Sequence, residues 1–205
     1  MDHVMNLKAL DATVDAEIPN IPGWCTPEKA KKMARLAFES PLCIELGVFG
    51  GRGLVAIALG LREKGIGRVD GIDPFTAAAA LEGTNDPAND EWWAKLDYES
   101  IARVAQKKLY ELDLVHYAHL IRMASHEVAD YYKDGTVDLL HQDSNHSEEI
   151  SCKEVELWVP KIRSRGYWVF DDTDWPTTLL AQKILAASGF EMIEDHETWK
   201  VFRKL

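Results

Sequence analysis

Apolar residues along this chain fall into two alternating patterns. Short unbroken runs end in polar or acidic residues, and longer stretches return an apolar residue every three or four positions. Leu42 to Ile44 with Glu45, Arg68 to Ile72, His119 to Met123, Val137 to Asp143 and Tyr167 to Asp172 are runs of the first kind and predict strands. Between them, Leu54, Ile57, Ala58 and Leu61 share one helical stripe, and Ile101, Val104, Ala105, Leu109 and Leu112 make another within Tyr98 to Leu112. Thr26 before Pro27 and Glu28 predicts a helix start, with Thr as N-cap and the helix running to about Glu39. Further helices are expected over His126 to Lys133, from Ser147 to near Trp158, where Pro160 ends it, and over Thr177 to Ser188. Glu191 to Glu194 and Thr198 to Arg203 flank a turn and predict a terminal hairpin. Strands alternating with helices imply an α/β fold: a mostly parallel central sheet, helices on both faces, and an antiparallel C-terminal strand. Residues 1–20 show no clean period and read as a short helix or arm, so 1–40 form an N-terminal arm and helix ahead of the first strand.

The first strand and its helix are joined by Gly47, Gly50, Gly51 and Gly53. Glycines there permit positive φ and close approach of a ligand to the main chain, and the helix that follows presents its N-terminal NH groups. The second strand ends at Asp73, about twenty residues on, where one carboxylate can take two ribose hydroxyls. Two readings stand open. Gly51, Gly53 and Ala56 form GxGxxA, a dinucleotide fingerprint that makes Asp73 the ribose ligand of NAD, although Glu45 to Phe49 intervene between strand and first glycine. Glu45, Gly47 and Gly51 alternatively form ExGxxxG.

At 205 residues the chain suits a single domain, 1–205. Its formal net charge of -11 argues against a nucleic-acid partner, which needs a basic face. Cys25, Cys43 and Cys152 are odd in number and lie in apolar or helical context, which suits reduced thiols in a cytoplasmic protein. No signal segment or membrane-length apolar run appears in the sequence, so no membrane partner is expected.

Asp143, Asp171 and Asp172 close two strands and can converge opposite Glu45 and Asp73. Carboxylates packed together repel and raise each other's pKa unless a cation neutralises them, and all-oxygen ligation suits Mg²⁺; a solvated loop start is the alternative for Asp171 and Asp172. His146, three residues past Asp143, suits proton transfer near neutral pH or, alternatively, helix capping. His141 lies mid-strand and is expected to be a satisfied core residue, and Trp24 a core anchor. Phe75 to Leu96 is long for a connection inside a compact domain and reads as a lid insertion, 75–96, whose Trp92 and Trp93 either close over a substrate or tether the loop.

Taken together, ELGVFGGRG, GIDPF, VDLLHQDSNHSEE and GYWVFDDTDW resemble the Mg²⁺-dependent small-molecule O-methyltransferases of class I, the group that includes the macrolide-sugar O-methyltransferases and the cephalosporin-hydroxylase-like proteins. More distantly the chain is similar to catechol O-methyltransferase. The resemblance runs from about Ile21 to the C-terminus and implies a Rossmann-like fold with S-adenosylmethionine as cofactor. It assigns Glu45, Gly47, Gly51, Asp73, Ser125 and Asp143 to cofactor binding, Asp143, Asp171 and Asp172 to a Mg²⁺ or Mn²⁺ ion, and His146 to the role of base. A small-molecule hydroxyl acceptor follows, and a homo-oligomer, since such relatives often associate. Gly53 departs from the pattern, because many relatives carry Ser or Thr there. An NAD-dependent oxidoreductase and a non-catalytic nucleoside- or metal-binding relative remain the alternatives.

Overall fold

The computed structural model describes residues 6–205. The first five residues of the expected arm lie outside that range; the rest of it forms α1 (Leu7–Glu17), capped by the Asn6 side chain. Thr26 caps α2 (Pro27–Ala37) as expected, its side chain accepting from the Lys29 amide. The alternating units follow in order: β1 (Leu42–Leu46), α3 (Arg52–Lys64), β2 (Arg68–Ile72), α4 (Ala77–Ala80), α5 (Pro87–Trp93), α6 (Tyr98–Glu111) and β3 (Ala118–Ile121). After them come α7 (Ser125–Val128), β4 (Val137–Gln142), α8 (Glu148–Trp158), β5 (Ile162–Asp171), α9 (Leu179–Ala187), β6 (Phe190–Asp195) and β7 (Trp199–Lys204).

The strands form one sheet in the order β3-β2-β1-β4-β5-β7-β6, parallel throughout except for β7, which runs antiparallel to both β5 and β6. This is the doubly wound sheet with an antiparallel C-terminal hairpin that the alternation implies. Every residue of β4 is buried, as a strand covered on both faces requires. One apolar layer packs α1, α2, α3 and α6 on one face, and a second packs α8 and α9 on the other. Because β1 is flanked by β2 and β4, the chain leaves it in opposite directions and opens a crevice at the strands' carboxyl ends. Strand pairing continues past the strand ends: Gly47 N donates to Ile72 O (2.9 Å), Asp73 N to Ile121 O (3.1 Å) and Asp143 N to Leu46 O (2.9 Å). Gly47, Asp73 and Asp143 therefore stand in a row along the crevice.

Two elements differ from the sequence reading. β5 begins at Ile162, five residues before Tyr167, because its first half carries exposed polar residues that pair along the backbone and bury little. The helix expected over His126 to Lys133 is a single turn, α7, followed by a 3₁₀ turn to Tyr131. Tyr132 then turns extended, and its hydroxyl donates to Asp70 (2.9 Å) on β2.

Candidate active site

Two cavities open side by side in the crevice. The narrower lies under Asp73, Ser125 and Glu154; the wider, about 630 Å³, is lined by Lys29, Glu45, Asp171, Asp172 and aromatic rings. Gly47, Asp143, Ser144 and His146 line both, so the two spaces meet at the end of β4.

Asp73 braces the narrow cavity from within. Its Oδ2 accepts from the amides of Val48 (2.9 Å) and Phe49 (3.0 Å), and its Oδ1 from that of Phe75 (2.7 Å). Burial pushes its carboxyl up and these backbone donors pull against the rise. Three donors leave one of about four lone-pair sites for a ligand, so the residue expected to hold ribose also shapes the glycine turn. Gly47, at φ 82°, is required for contact as well: a Cβ there would lie 2.0 Å from the Asp143 carbonyl oxygen. Gly51 is on the wall of neither cavity and faces Ala105 of α6, a turn position rather than a contact. Ser125 lines the narrow cavity.

Glu45 reaches only the wider cavity. It is buried, its Oε1 lies 2.9 Å from His141 Nδ1, and burial raises its carboxyl against the lowering effect of that bond. Gly53 sits directly on this pair: a Cβ there would meet Glu45 Oε1 at 1.9 Å and His141 Nδ1 at 3.1 Å. That accounts for the glycine where a hydroxyl residue was anticipated. His141 is not the satisfied core histidine expected. Its Nε2 is fully buried without a hydrogen-bond partner, 3.9 Å from Asp143 Oδ2, because the strand end it faces is a carboxylate cluster rather than apolar core.

That cluster is arranged differently from the expected triad. Among the described residues, atoms able to ligate a metal gather as an inner group, His141, Asp143 and Asp171, and an outer group, Asp143, His146 and Asp172. The inner group already holds a cation. Lys29, 3% exposed, sends its ammonium from α2 to bond Asp171 and lies 3.7 Å from Asp143 Oδ2. Burial pushes Asp171 up, but the ammonium and the contacts with Asp143 and His141 outweigh it and hold the carboxyl down at about 2. Asp143, farther from Lys29, is driven well up by burial and by the Asp171 charge. In the outer group His146 Nε2 lies 2.9 Å from Asp172 Oδ2 yet off the hydrogen-bonding direction, so it has no hydrogen-bond partner. The ring leans on Trp175, centroids 5.1 Å apart. Lys29 went unremarked in the sequence, although it adjoins the buried stripe Ala30, Met33, Ala34 and Ala37 of α2, where a surface lysine does not belong.

Trp24 is 65% exposed and anchors no core. Its ring stands instead at the mouth of the wider cavity, where Trp24, Phe49, Trp92 and Trp93 pack with centroids 4.9 to 6.3 Å apart. The tryptophan pair thus both tethers the insertion and covers the cavity. The other end of the insertion is tied by Asn145, whose Nδ2 donates to the carbonyls of Ala79 (3.0 Å), Ala80 (3.1 Å) and Glu82 (2.9 Å). Cys25 lines the same space, but burial pushes its thiol up to about 12, which leaves it unreactive.

Residues 44–173 match the family described as a methyltransferase domain. The uncharacterized protein y4gI of Sinorhizobium fredii is 35% identical over 60 residues, 29% of this chain, and the chain spans 7% of that curated relative's length. Among solved structures, an S-adenosylmethionine-dependent O-methyltransferase from Thermotoga maritima superposes with a TM-score of 0.63 at 14% identity, covering 94% of this chain and 71% of that one. The O-methyltransferase TomG of Streptomyces achromogenes, solved in complex with S-adenosylmethionine, gives 0.58 at 14% identity over 97% and 87% of the two chains. At such identities the likeness concerns the fold.

Proposed function

The chain belongs to the methyltransferase-domain family, and from that premise we propose that it transfers the methyl group of S-adenosylmethionine to the hydroxyl oxygen of a small molecule. The observation that carries this reading is the meeting of two compartments at Asp143, Ser144 and His146. A donor in one and an acceptor in the other face each other there, as an in-line displacement requires. The solved O-methyltransferases of the same fold, one of them holding S-adenosylmethionine, support it.

The residues fit the cofactor. The narrow cavity combines the Asp73 carboxylate, the close backbone at Gly47 and the polar pair Ser125 and Glu154. S-adenosylmethionine supplies a sulfonium methyl group: the acceptor oxygen bonds the methyl carbon as the carbon–sulfur bond breaks, and that electron pair remains on sulfur. His146, on the shared wall, takes the hydroxyl proton, and Asp172 beside its Nε2 stabilises the imidazolium that results. Trp92 and Trp93 exclude water from the acceptor.

The residues also fit a divalent ion in the outer group. Four carboxylates, Glu45, Asp143, Asp171 and Asp172, line the wider cavity, and Lys29 offsets one of them. Asp143 and Asp172 are the ligands open to the cavity, and two carboxylates with remaining positions for water and substrate suit Mg²⁺ or Mn²⁺. Asp171, bonded to Lys29, is left out of the set. Such an ion would lower the pKa of the acceptor hydroxyl and orient its oxygen.

Methyl transfer from labelled S-adenosylmethionine to a panel of hydroxyl compounds, with His146→Ala alongside, tests the reading. The expected result is transfer, reduced about a hundredfold to ten-thousandfold in the variant. Calorimetric binding of NADH with none of S-adenosylhomocysteine would replace it with the oxidoreductase reading.

A further inference from the structure

Glu154, on the wall of the narrow cavity, is one of the most enclosed charged groups among the described residues, 2% exposed on α8. Its Oε1 accepts from Ser125 Oγ (2.5 Å), and its Oε2 from Ser144 Oγ (2.5 Å) and Gln142 Nε2 (3.0 Å). The orientation of Gln142 is fixed in turn, because its Oε1 accepts from the indole NH of Trp168 (3.2 Å). Glu154 is thus an acceptor at both oxygens. A serine hydroxyl has one proton and two lone pairs. Ser125 and Ser144 both commit that proton to Glu154, so toward the narrow cavity, which all three residues line, each turns only lone pairs.

Ser125 opens the helix after β3, the strand next to β2 on the side away from β1. Asp73 and Ser125 line the same narrow cavity, so a nucleoside with its ribose at Asp73 would set its base against Ser125. We propose that Glu154 fixes the hydrogen-bonding polarity of this compartment: it holds Ser125 as an obligate acceptor, so the cavity selects a purine with an exocyclic amino group and rejects one with a keto oxygen at the same position. Glu154 is then a positioning residue that sets nucleobase specificity through Ser125. The proposal rests on reading the narrow cavity as the nucleoside compartment.

The same network dictates what a substitution does. In Glu154→Gln the side-chain oxygen must remain where Gln142 donates, so the new NH₂ faces Ser125. Ser125 then accepts from it, and its own proton turns into the cavity. The test is calorimetric affinity for S-adenosylhomocysteine and for S-inosylhomocysteine, its counterpart with a keto oxygen in place of the amino group, in wild type, Glu154→Gln and Ser125→Ala, with thermal unfolding of each. Wild type is expected to prefer the adenosyl compound by about a hundredfold or more, since a buried site built to accept a proton is left unpaired by a keto group. The preference should fall at least tenfold in Glu154→Gln, with improved binding of the inosyl compound, and should fall in Ser125→Ala without that improvement. An unchanged preference in both variants, with tight adenosyl binding retained, overturns the role of Glu154 and leaves the nucleoside reading standing. Absence of binding of either compound by wild type overturns both. Were Glu154→Gln not to fold, Ser125→Ala decides alone.

Discussion

Lys29 carries an ammonium into a space where burial opposes charge, and two carboxylates hold its pKa above the ordinary lysine value against that burial. Removing one partner of such a pair leaves the other charged and unpaired, at a cost of about 3–5 kcal/mol. Lys29→Met should therefore lose stability of that order in urea unfolding at neutral pH. In wild type, Asp171 is held down at about 2, below its unfolded value of about 3.9, so its contribution is complete above the unfolded value and is lost only as pH falls through about 2. Without the ammonium, burial is opposed only by the contacts with Asp143 and His141, and the carboxyl should rise above its unfolded value. The native state of the variant then binds the proton more tightly than the unfolded state, so acidification from pH 7 should narrow its deficit. A deficit that is constant or grows on mild acidification would show that Asp171 is not the group left unpaired. Gly53 makes the opposite kind of prediction. Alanine for glycine inside a helix ordinarily stabilises by about 1 kcal/mol, but a Cβ here meets Glu45 at 1.9 Å. Gly53→Ala should instead destabilise by about 1–3 kcal/mol, and a gain in the urea midpoint would contradict the close packing of α3 on the Glu45–His141 pair.

At the scale of elements, the insertion carrying α4 and α5 is held at two ends by unlike forces, aromatic packing at Trp92 and Trp93 and hydrogen bonds at Asn145. The β4–α8 loop that carries Asn145 also carries His146, so the clasp and the proposed base move together. Asn145→Ala should release the α4 end at a cost of about 0.5–1.5 kcal/mol, since the freed carbonyls can turn to water. Hydrogen exchange should then quicken over residues 77–93 and bound S-adenosylhomocysteine should leave faster, while β1 and β4 keep their protection; equal exchange in both proteins would mean that the aromatic end alone holds the lid. The sequence disclosed the strands and their acidic ends because a buried strand is nearly all apolar up to the residue where it meets solvent, as in YWVFDD. It did not disclose the start of β5, where backbone pairing persists without apolar side chains. Nor did it disclose the tetrad of Trp24, Phe49, Trp92 and Trp93, whose members come from three separate segments that only the closed fold assembles.

Across the whole molecule, 142 residues of chain separate Lys29 from Asp171, and that is why the convergence of Asp143, Asp171 and Asp172 was legible while their division between two groups was not. Spacing within one strand end says that carboxylates converge; it says nothing of a cation delivered by a helix from the N-terminal part of the chain. The division has a consequence that separates the two aspartates of one dipeptide. Asp171 points inward to Lys29 and should matter chiefly for stability, whereas Asp172, on the cavity side with its backbone at φ 47°, should matter chiefly for the divalent ion. Titration of Mn²⁺ followed by paramagnetic resonance is the measurement, with urea unfolding in parallel. Loss of a carboxylate ligand should weaken Mn²⁺ binding in Asp172→Asn by about a hundredfold or more, beyond the 10–100-fold typical of an outer-shell partner, with little change in stability. In Asp171→Asn the buried ammonium loses its counter-charge, so stability should drop while Mn²⁺ affinity changes less than tenfold. The reverse pattern, with Asp171→Asn abolishing Mn²⁺ binding and Asp172→Asn leaving it intact, would mean that the ion displaces the Lys29 ammonium and occupies the inner group with His141 Nε2.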